Sequence, residues 1–173
     1  GFAVELLTQV FVIAGQLIAM QTGLGIATTV DPSQGASVVV VSQWFLFMVS
    51  LVFLALNGHL VLIEILIDSF RTIPIGFDGF SVEQWGLLIT WSGWMFAAAT
   101  VIALPAIAAL LIVNLAFGVM TRAAPQLNIF ALGFPVTMIV GIFIIWINIG
   151  EMAVGFHLYM DTLFEFIKKL TVM

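Results

Sequence analysis

Glu64, Asp68 and Arg71 stand at i, i+4 and i+7 within NGHLVLIEILIDSFRTIPIG, the stretch from Asn57 to Gly76, and no other feature constrains the chain so tightly. On a helix these positions share one face, and Asn57, seven residues before Glu64, joins them. The flanking sequence is almost wholly apolar. A helix facing lipid would not carry such a stripe, because each ionised group in hydrocarbon costs several kcal/mol. The stripe therefore faces other protein, water or a headgroup layer, and the spacing predicts a polar assembly or passage face on a membrane protein.

Composition supports the membrane reading. Hydrophobic residues make up 63% of the 173 and charged residues 8%, with a mean hydropathy of +1.27. Soluble domains carry about 25% charge, so a water-soluble globule is excluded. Net charge is −5 with four basic residues in all. That leaves no basic patch for nucleic acid and no polybasic arm for anionic lipid. The absence of cysteine removes disulfides, thiolate metal sites and a Cys nucleophile.

Four apolar segments, about 1–28, 38–70, 83–121 and 127–170, are separated by short loops. Each exceeds the roughly 20 residues that cross a bilayer, so the segments either tilt and break or protrude beyond the hydrocarbon. Pro105 in the third segment, and Pro135 and Gly141 in the fourth, predict kinks or breaks. The expected fold is all-α, a membrane-associated bundle of long, kinked helical hairpins. Three loops punctuate it. GLGIATTVDPSQGAS (Gly23 to Ser37) combines two glycines with a Val30-Asp31-Pro32 break, which predicts a loop rather than continuous helix. TIPIGFDGFS ends with Ser81 two residues before Glu83, a weak helix start, and RAAPQLN is a tight turn between helices. If all four segments cross fully, Arg71, Lys168 and Lys169 share one side against Arg122 on the other, a three-to-one bias toward a cytoplasmic first group.

Three stretches in register resemble the FliR family of bacterial flagellar protein export. They are GQLIAMQTGLGIATTVDP (Gly15 to Pro32), FLALNGHLVLIEILIDSFRTIPIG (Phe53 to Gly76) and APQLNIFALGFPVT (Ala124 to Thr137). NGHL and DSFRTIPIG favour the flagellar version over the virulence type III version. Relatives have a further apolar region before the first stretch, so the sequence is expected to be a fragment, one export-gate domain over residues 1–173 without that region. Many relatives also carry bulky aromatics where this chain has Ile26 and Thr29.

The resemblance implies a non-enzymatic, channel-forming subunit of the flagellar export gate, passing unfolded flagellar proteins across the bacterial inner membrane. It also implies a helical hetero-oligomer with FliP and FliQ, with FlhB as a further neighbour, standing largely above the membrane plane on the periplasmic side, and no cofactor. Residues of about 1–80 would be FliP-like and about 83–170 a FliQ-like hairpin. The tip of that hairpin, with Arg122, Pro125 and Gln126, would point to the cytoplasm. That orientation opposes the charge count and is preferred to it, because a single residue would reverse the count. The segment Gly23, Leu24, Gly25, Ile26, Thr29, Val30, Asp31 and Pro32 is expected to project into the passage as a gate loop, with Leu24, Ile26 and Val30 crowding the pore.

Several clusters admit two readings. Glu5, Gln9 and Gln16 fall within about 40° of one another at the helical step. They form either a polar stripe along the channel or between subunits, or ordinary polar glue inside a bundle. With Asn57, Asp68 and Arg71 they make up the expected polar assembly face. Glu64, Asp68 and Arg71 suit a proton-responsive relay or a structural ion pair between Asp68 and Arg71. His59 and His157 lack the convergent partners that haem or a metal needs, so His59 is expected to be satisfied by packing and His157 to be interfacial. Asp161, Glu165, Lys168 and Lys169 read as a solvated helix face, and Trp85, Trp91 and Trp94 as an interfacial belt or as packing. No nucleophile stands near a base, and GLG at Gly23 to Gly25 lacks the lysine of a phosphate loop. A reading from another class, a stand-alone small-solute transporter or ion channel subunit, would place its site at broken helices such as those expected at Pro105 and Pro135.

Overall fold

The computed structural model describes residues 1–30, 35, 37–72, 81–123 and 129–172, with backbone alone for 129–132, 151, 153, 171 and 172. The chain is an all-α, membrane-type bundle with one short β-hairpin. Helix α1 is Phe2–Thr22, α2 Val40–Ala55, α3 Gly58–Thr72, α4 Val82–Ala123 and α5 Ile129–Val172. Strands β1 (Thr28–Val30) and β2 (Ser37–Val39) pair antiparallel between α1 and α2.

Helix α1 is the axis of the bundle. Leu7, Val10, Phe11, Ala14 and Ala19 are fully buried, and α2, α4 and α5 all pack on it. Small residues let the backbones approach, the commonest device for joining helices in membranes. A Cβ added at Gly15 would lie 2.9 Å from the Ser42 Cα of α2, and one added at Gly141 of α5 would lie 2.7 Å from the Thr22 Cβ of α1.

Aromatic rings fill the gaps between the long helices. Trp91 of α4 is sandwiched between Trp94 and Phe166, with ring centroids 4.3 and 4.2 Å away. Phe11 meets Phe156 and Tyr159 of α5 at 5.5 and 6.0 Å. Trp91 and Trp94 therefore serve packing within the chain, whereas Trp85 is exposed.

The second apolar segment is not one helix. It breaks at Asn57, where φ is +57°, and α3 leaves α2 at 71°. Asparagine tolerates this left-handed conformation better than most residues. It ends α2 by donating its N–H to the Leu54 carbonyl (3.1 Å) and starts α3 by accepting the Leu60 N–H (2.9 Å). The Phe53 ring lies against Gly58, where a Cβ has no room. Asn57 thus does not extend the face of Glu64, Asp68 and Arg71, as seven-residue spacing on one helix required; it is the joint before that helix.

Neither proline breaks its helix. α4 and α5 run for 42 and 44 residues with Pro105 and Pro135 inside them and neither helix interrupted. At 1.5 Å per residue they are about 63 and 66 Å long, twice a hydrocarbon core of about 30 Å. Among the described residues three helices are long and apolar enough to cross a membrane, or four spans if the bent α2–α3 pair is counted as one.

The start of α4 also differs from expectation. Ser81 and Gln84, rather than Ser81 and Glu83, form a reciprocal capping box. The Ser81 N–H donates to Gln84 Oε1 (2.8 Å), and the Gln84 N–H to Ser81 Oγ (3.2 Å). The same buried glutamine donates from Nε2 to the Leu170 carbonyl (2.9 Å), tying the start of α4 to the end of α5. Gln84→Ala should cost about 1–2 kcal/mol, combining a lost cap with a lost buried hydrogen bond. Hydrogen exchange should register the loss as faster exchange in residues 82–90 and 165–172, with α1 unaffected.

Candidate functional site

The expected gate segment begins where α1 ends, because Gly23 adopts φ +78° and caps the helix in the left-handed conformation. Leu24–Ile26 form one 3-10 turn, followed by β1. Thr28 faces Val39, Thr29 faces Val38, and Val30 faces Ser37 across the hairpin. The Val40 N–H donates to the Ala27 carbonyl (2.9 Å), so the hairpin leaves and rejoins the bundle at one point. Leu24 and Gly25 are half-buried at the base, while Ile26, Thr29 and Val30 are exposed, Ile26 at 77%. Asp31 and Pro32 lie outside the described residues.

Four contacts fix the base. Thr22 is fully buried; its hydroxyl donates to the Ala19 carbonyl (3.0 Å) and accepts from the Leu24 N–H (3.3 Å). The Thr22 methyl lies against Gly141, and the Phe134 ring covers Gly23, leaving only 2.7 Å from Phe134 Cε2 to an added Cβ. Sequence reasoning named Gly23, took Gly141 only for a kink position, and missed Thr22 and Phe134. A glycine inside a long apolar helix is a signal of close approach, yet the sequence offers nothing that names Thr22 as its partner.

The polar faces fall on two helices. On α1, Glu5 and Gln16 are exposed and Gln9 half-exposed, so the stripe occupies the one side that α2, α4 and α5 leave open. Among the described residues no helix packs over Glu5 or Gln16. On α3, Glu64, Asp68 and Arg71 are all exposed. Arg71 Nη1 lies 3.9 Å from Asp68 Oδ1, with the side chains 82% and 62% exposed. Such a pair is worth about 0–1 kcal/mol, and the cost of about 3–5 kcal/mol for breaking a buried pair does not apply to the chain by itself. Asp68→Ala should therefore leave the chain's own packing unchanged to within about 0.5 kcal/mol. A larger loss in the assembled state, read as reduced complex yield, would locate the pair at a subunit contact.

Arg122 is exposed in the last turn of α4, and Pro125 and Gln126 lie outside the described residues. His59 Nδ1 is buried with no hydrogen-bond partner among the described residues. His157 is exposed, with Nδ1 3.1 Å from Asp161 Oδ2. Among the described residues no group of three His, Cys, Asp or Glu could hold a metal ion. A cleft of about 170 Å³ between α1, α4 and α5 is lined by Phe11, Ile18, Pro105, Ile144, Asn148 and Tyr159, among others. Asn148 donates its amide to the Ile144 carbonyl of its own helix (2.7 Å). Pockets for small molecules usually hold about 300–1,000 Å³, so the cleft is a packing gap in size.

A family model described as bacterial export proteins, family 1, matches residues 1–163. The chain is 39% identical, over 82% of its length, to the flagellar biosynthetic protein FliR of Escherichia coli (strain K12), covering 54% of that protein. Against the flagellar biosynthetic protein FliR of Pectobacterium carotovorum subsp. carotovorum it is 43% identical over 75% of its length, covering 49%. The surface presentation of antigens protein SpaR of Shigella sonnei is more distant, 27% identical over 85% of this chain and 57% of its own. The chain thus spans about half the length of these relatives. The match over nearly every residue, on a bundle of helices suited to a membrane, places this chain in the FliR family of bacterial export proteins.

Proposed function

We propose that this chain is a structural, channel-forming part of a flagellar type III export gate, passing unfolded flagellar proteins across the bacterial inner membrane. Its work is conduction and sealing, not catalysis. Its partners are FliP and FliQ in a hetero-oligomer, with FlhB beside them, and much of the assembly stands on the periplasmic side of the membrane. Residues of about 1–80 are the FliP-like part and about 83–170 the FliQ-like hairpin. The antiparallel pairing of α4 and α5, tied by Gln84 to Leu170, supports that hairpin.

The observation that carries the reading is the hairpin on the end of the central helix. It projects exposed apolar side chains, Ile26 and Val30, from a base clamped to α5. Apolar groups crowding a narrow passage exclude water and hence ions, the way hydrophobic constrictions gate by dewetting. The polar stripe of α1 is the wall or subunit contact that such a passage needs.

The hairpin can be removed cleanly, because the Ala27 carbonyl already touches the Val40 N–H. Joining Ala27 to Val40 through a short Gly-Ser linker, with Ile26→Ser in the same chain, should leave complex assembly intact and raise the ion conductance of membranes that contain the complex. Unchanged conductance in an assembled complex would sink the sealing role. The transporter alternative predicts a particle of one subunit type, so the native mass of the purified complex decides between the two. No observation on the cleft favours the transporter.

A further inference from the structure

We infer that the α4–α5 pair carries a hinge at the level of its cleft, and that bending there lifts Phe134 and Gly141 off the root of the β-hairpin. Both helices are weakened at this level. On α4, Pro105 has no N–H to give the Val101 carbonyl four residues back, so the helix continues through it one hydrogen bond short. On α5, the Asn148 side chain donates to the Ile144 carbonyl (2.7 Å), competing with the helix's own bond to that oxygen. Gly150 and Gly155 follow, and glycine is the poorest helix former after proline. Packing within the chain calls for neither glycine. An added Cβ at Gly150 meets no neighbouring atom within 4 Å, and one at Gly155 would lie 3.8 Å from Tyr159 Cε2, an ordinary contact. Gly15 and Gly141 differ, since there a Cβ has no room. Pro105, Asn148 and Gly155 all line the cleft of about 170 Å³, which leaves space beside the weak points for the helices to move.

The packing divides at the same level. From Gln84 to Leu110 α4 keeps a buried face, and beyond Leu110 none of its residues is buried. The arm beyond the hinge is held instead through α5. There Gly133, Thr137 and Gly141 are buried on one face, Gly141 lies against Thr22, and the Phe134 ring covers Gly23. Phe134 stands 14 residues, about 21 Å, from Asn148. A bend of about 20°, the scale of a proline kink, carries it about 7 Å, far more than a ring contact survives. A modest bend therefore frees the root of the β-hairpin while the packed half of the bundle stays in place. The bend itself does not depend on the export-gate reading, whereas its effect on the passage rests on it.

The sequence has no cysteine, so spin labels on cysteine pairs in this chain report the bend in the export complex, once any cysteines of the other subunits are removed. Met20 on α1 and Val119 on the arm are 73% and 71% exposed, and Ile89 in the packed half is 73% exposed. The Met20–Val119 distance is expected to spread over about 7 Å, and the Met20–Ile89 distance to be single. Pro105→Ala, Gly150→Ala and Gly155→Ala in one chain restore the missing donor and stiffen α5. This variant should collapse the Met20–Val119 spread onto one distance and lower export of flagellar proteins severalfold at unchanged complex yield. The two glycine changes alone should raise the midpoint of unfolding of the complex. A single Met20–Val119 distance with the hinge unaltered would overturn the proposal. So would a lower midpoint, because it would mean that a neighbouring subunit needs the glycines for close packing. A collapsed spread with export unchanged would overturn the link from hinge to seal, while the β-hairpin deletion tests the export-gate reading by itself.

Discussion

Gly141→Ala should loosen the clamp between α1 and α5 and make the assembled gate leak. The added methyl has nowhere to go: a Cβ at this position would meet the Thr22 methyl directly and lie 2.7 Å from the Thr22 Cβ. Thr22 cannot swing aside, because it is fully buried and its hydroxyl bridges the Ala19 carbonyl and the Leu24 N–H. Overpacking of this kind costs about 1–3 kcal/mol, and the strain falls at the root of the hairpin. Thr22→Ser deletes the nearest clashing atom and keeps the hydroxyl, so adding it to Gly141→Ala should recover part of both stability and sealing. A double-mutant cycle followed by unfolding in detergent and by membrane conductance measures the coupling. Strictly additive effects would show that the two residues do not touch.

Much of this arrangement is legible in the sequence. The four apolar segments, the interruption after Thr22 and the stripe of Glu5, Gln9 and Gln16 follow from glycine, proline and helical period. The departures share one cause, the choice of which local signal wins in a packed bundle. Asn57-Gly58 is a turn signal, but its apolar surroundings and the seven-residue spacing to Glu64 hide the break. Pro105 and Pro135 are helix breakers in isolation, yet the apolar helices run through them unbroken, as neighbouring helices and local adjustments in membranes allow. At the start of α4, a glutamate stands out over the glutamine one residue later, whose second bond, to the Leu170 carbonyl, joins residues 86 positions apart. For contacts between distant segments, Thr22 to Gly141 and Phe134 to Gly23, no local signal names the partner.

Expressed alone in membranes, the chain should be degraded or aggregate, and co-expression with FliP and FliQ should rescue it. The expectation rests on two kinds of exposed surface. Apolar side chains on α4 and α5, among them Ile89, Val119, Val154 and Leu158, are open on several sides of the bundle, and lipid covers these well. It does not cover the open face of α1, where Glu5 and Gln16 are exposed on a helix long and apolar enough to span. Gln16 stands well inside that span, where a side-chain amide left unpaired in hydrocarbon costs roughly 2–7 kcal/mol, and α1 has no further helix among the described residues to cover it. Meanwhile α4 and α5, at about 63 and 66 Å, reach well past a hydrocarbon core of about 30 Å and carry apolar residues into water unless other subunits sheathe them. With native stabilities of about 5–15 kcal/mol, these exposures together are enough to deny the lone chain a stable folded state. Partner helices relieve both at once, by presenting hydrogen-bonding groups to α1 and apolar faces to the protruding ends. A monodisperse, protease-resistant monomer in mild detergent would count against the whole export-gate reading, because a self-sufficient fold is what a stand-alone transporter requires.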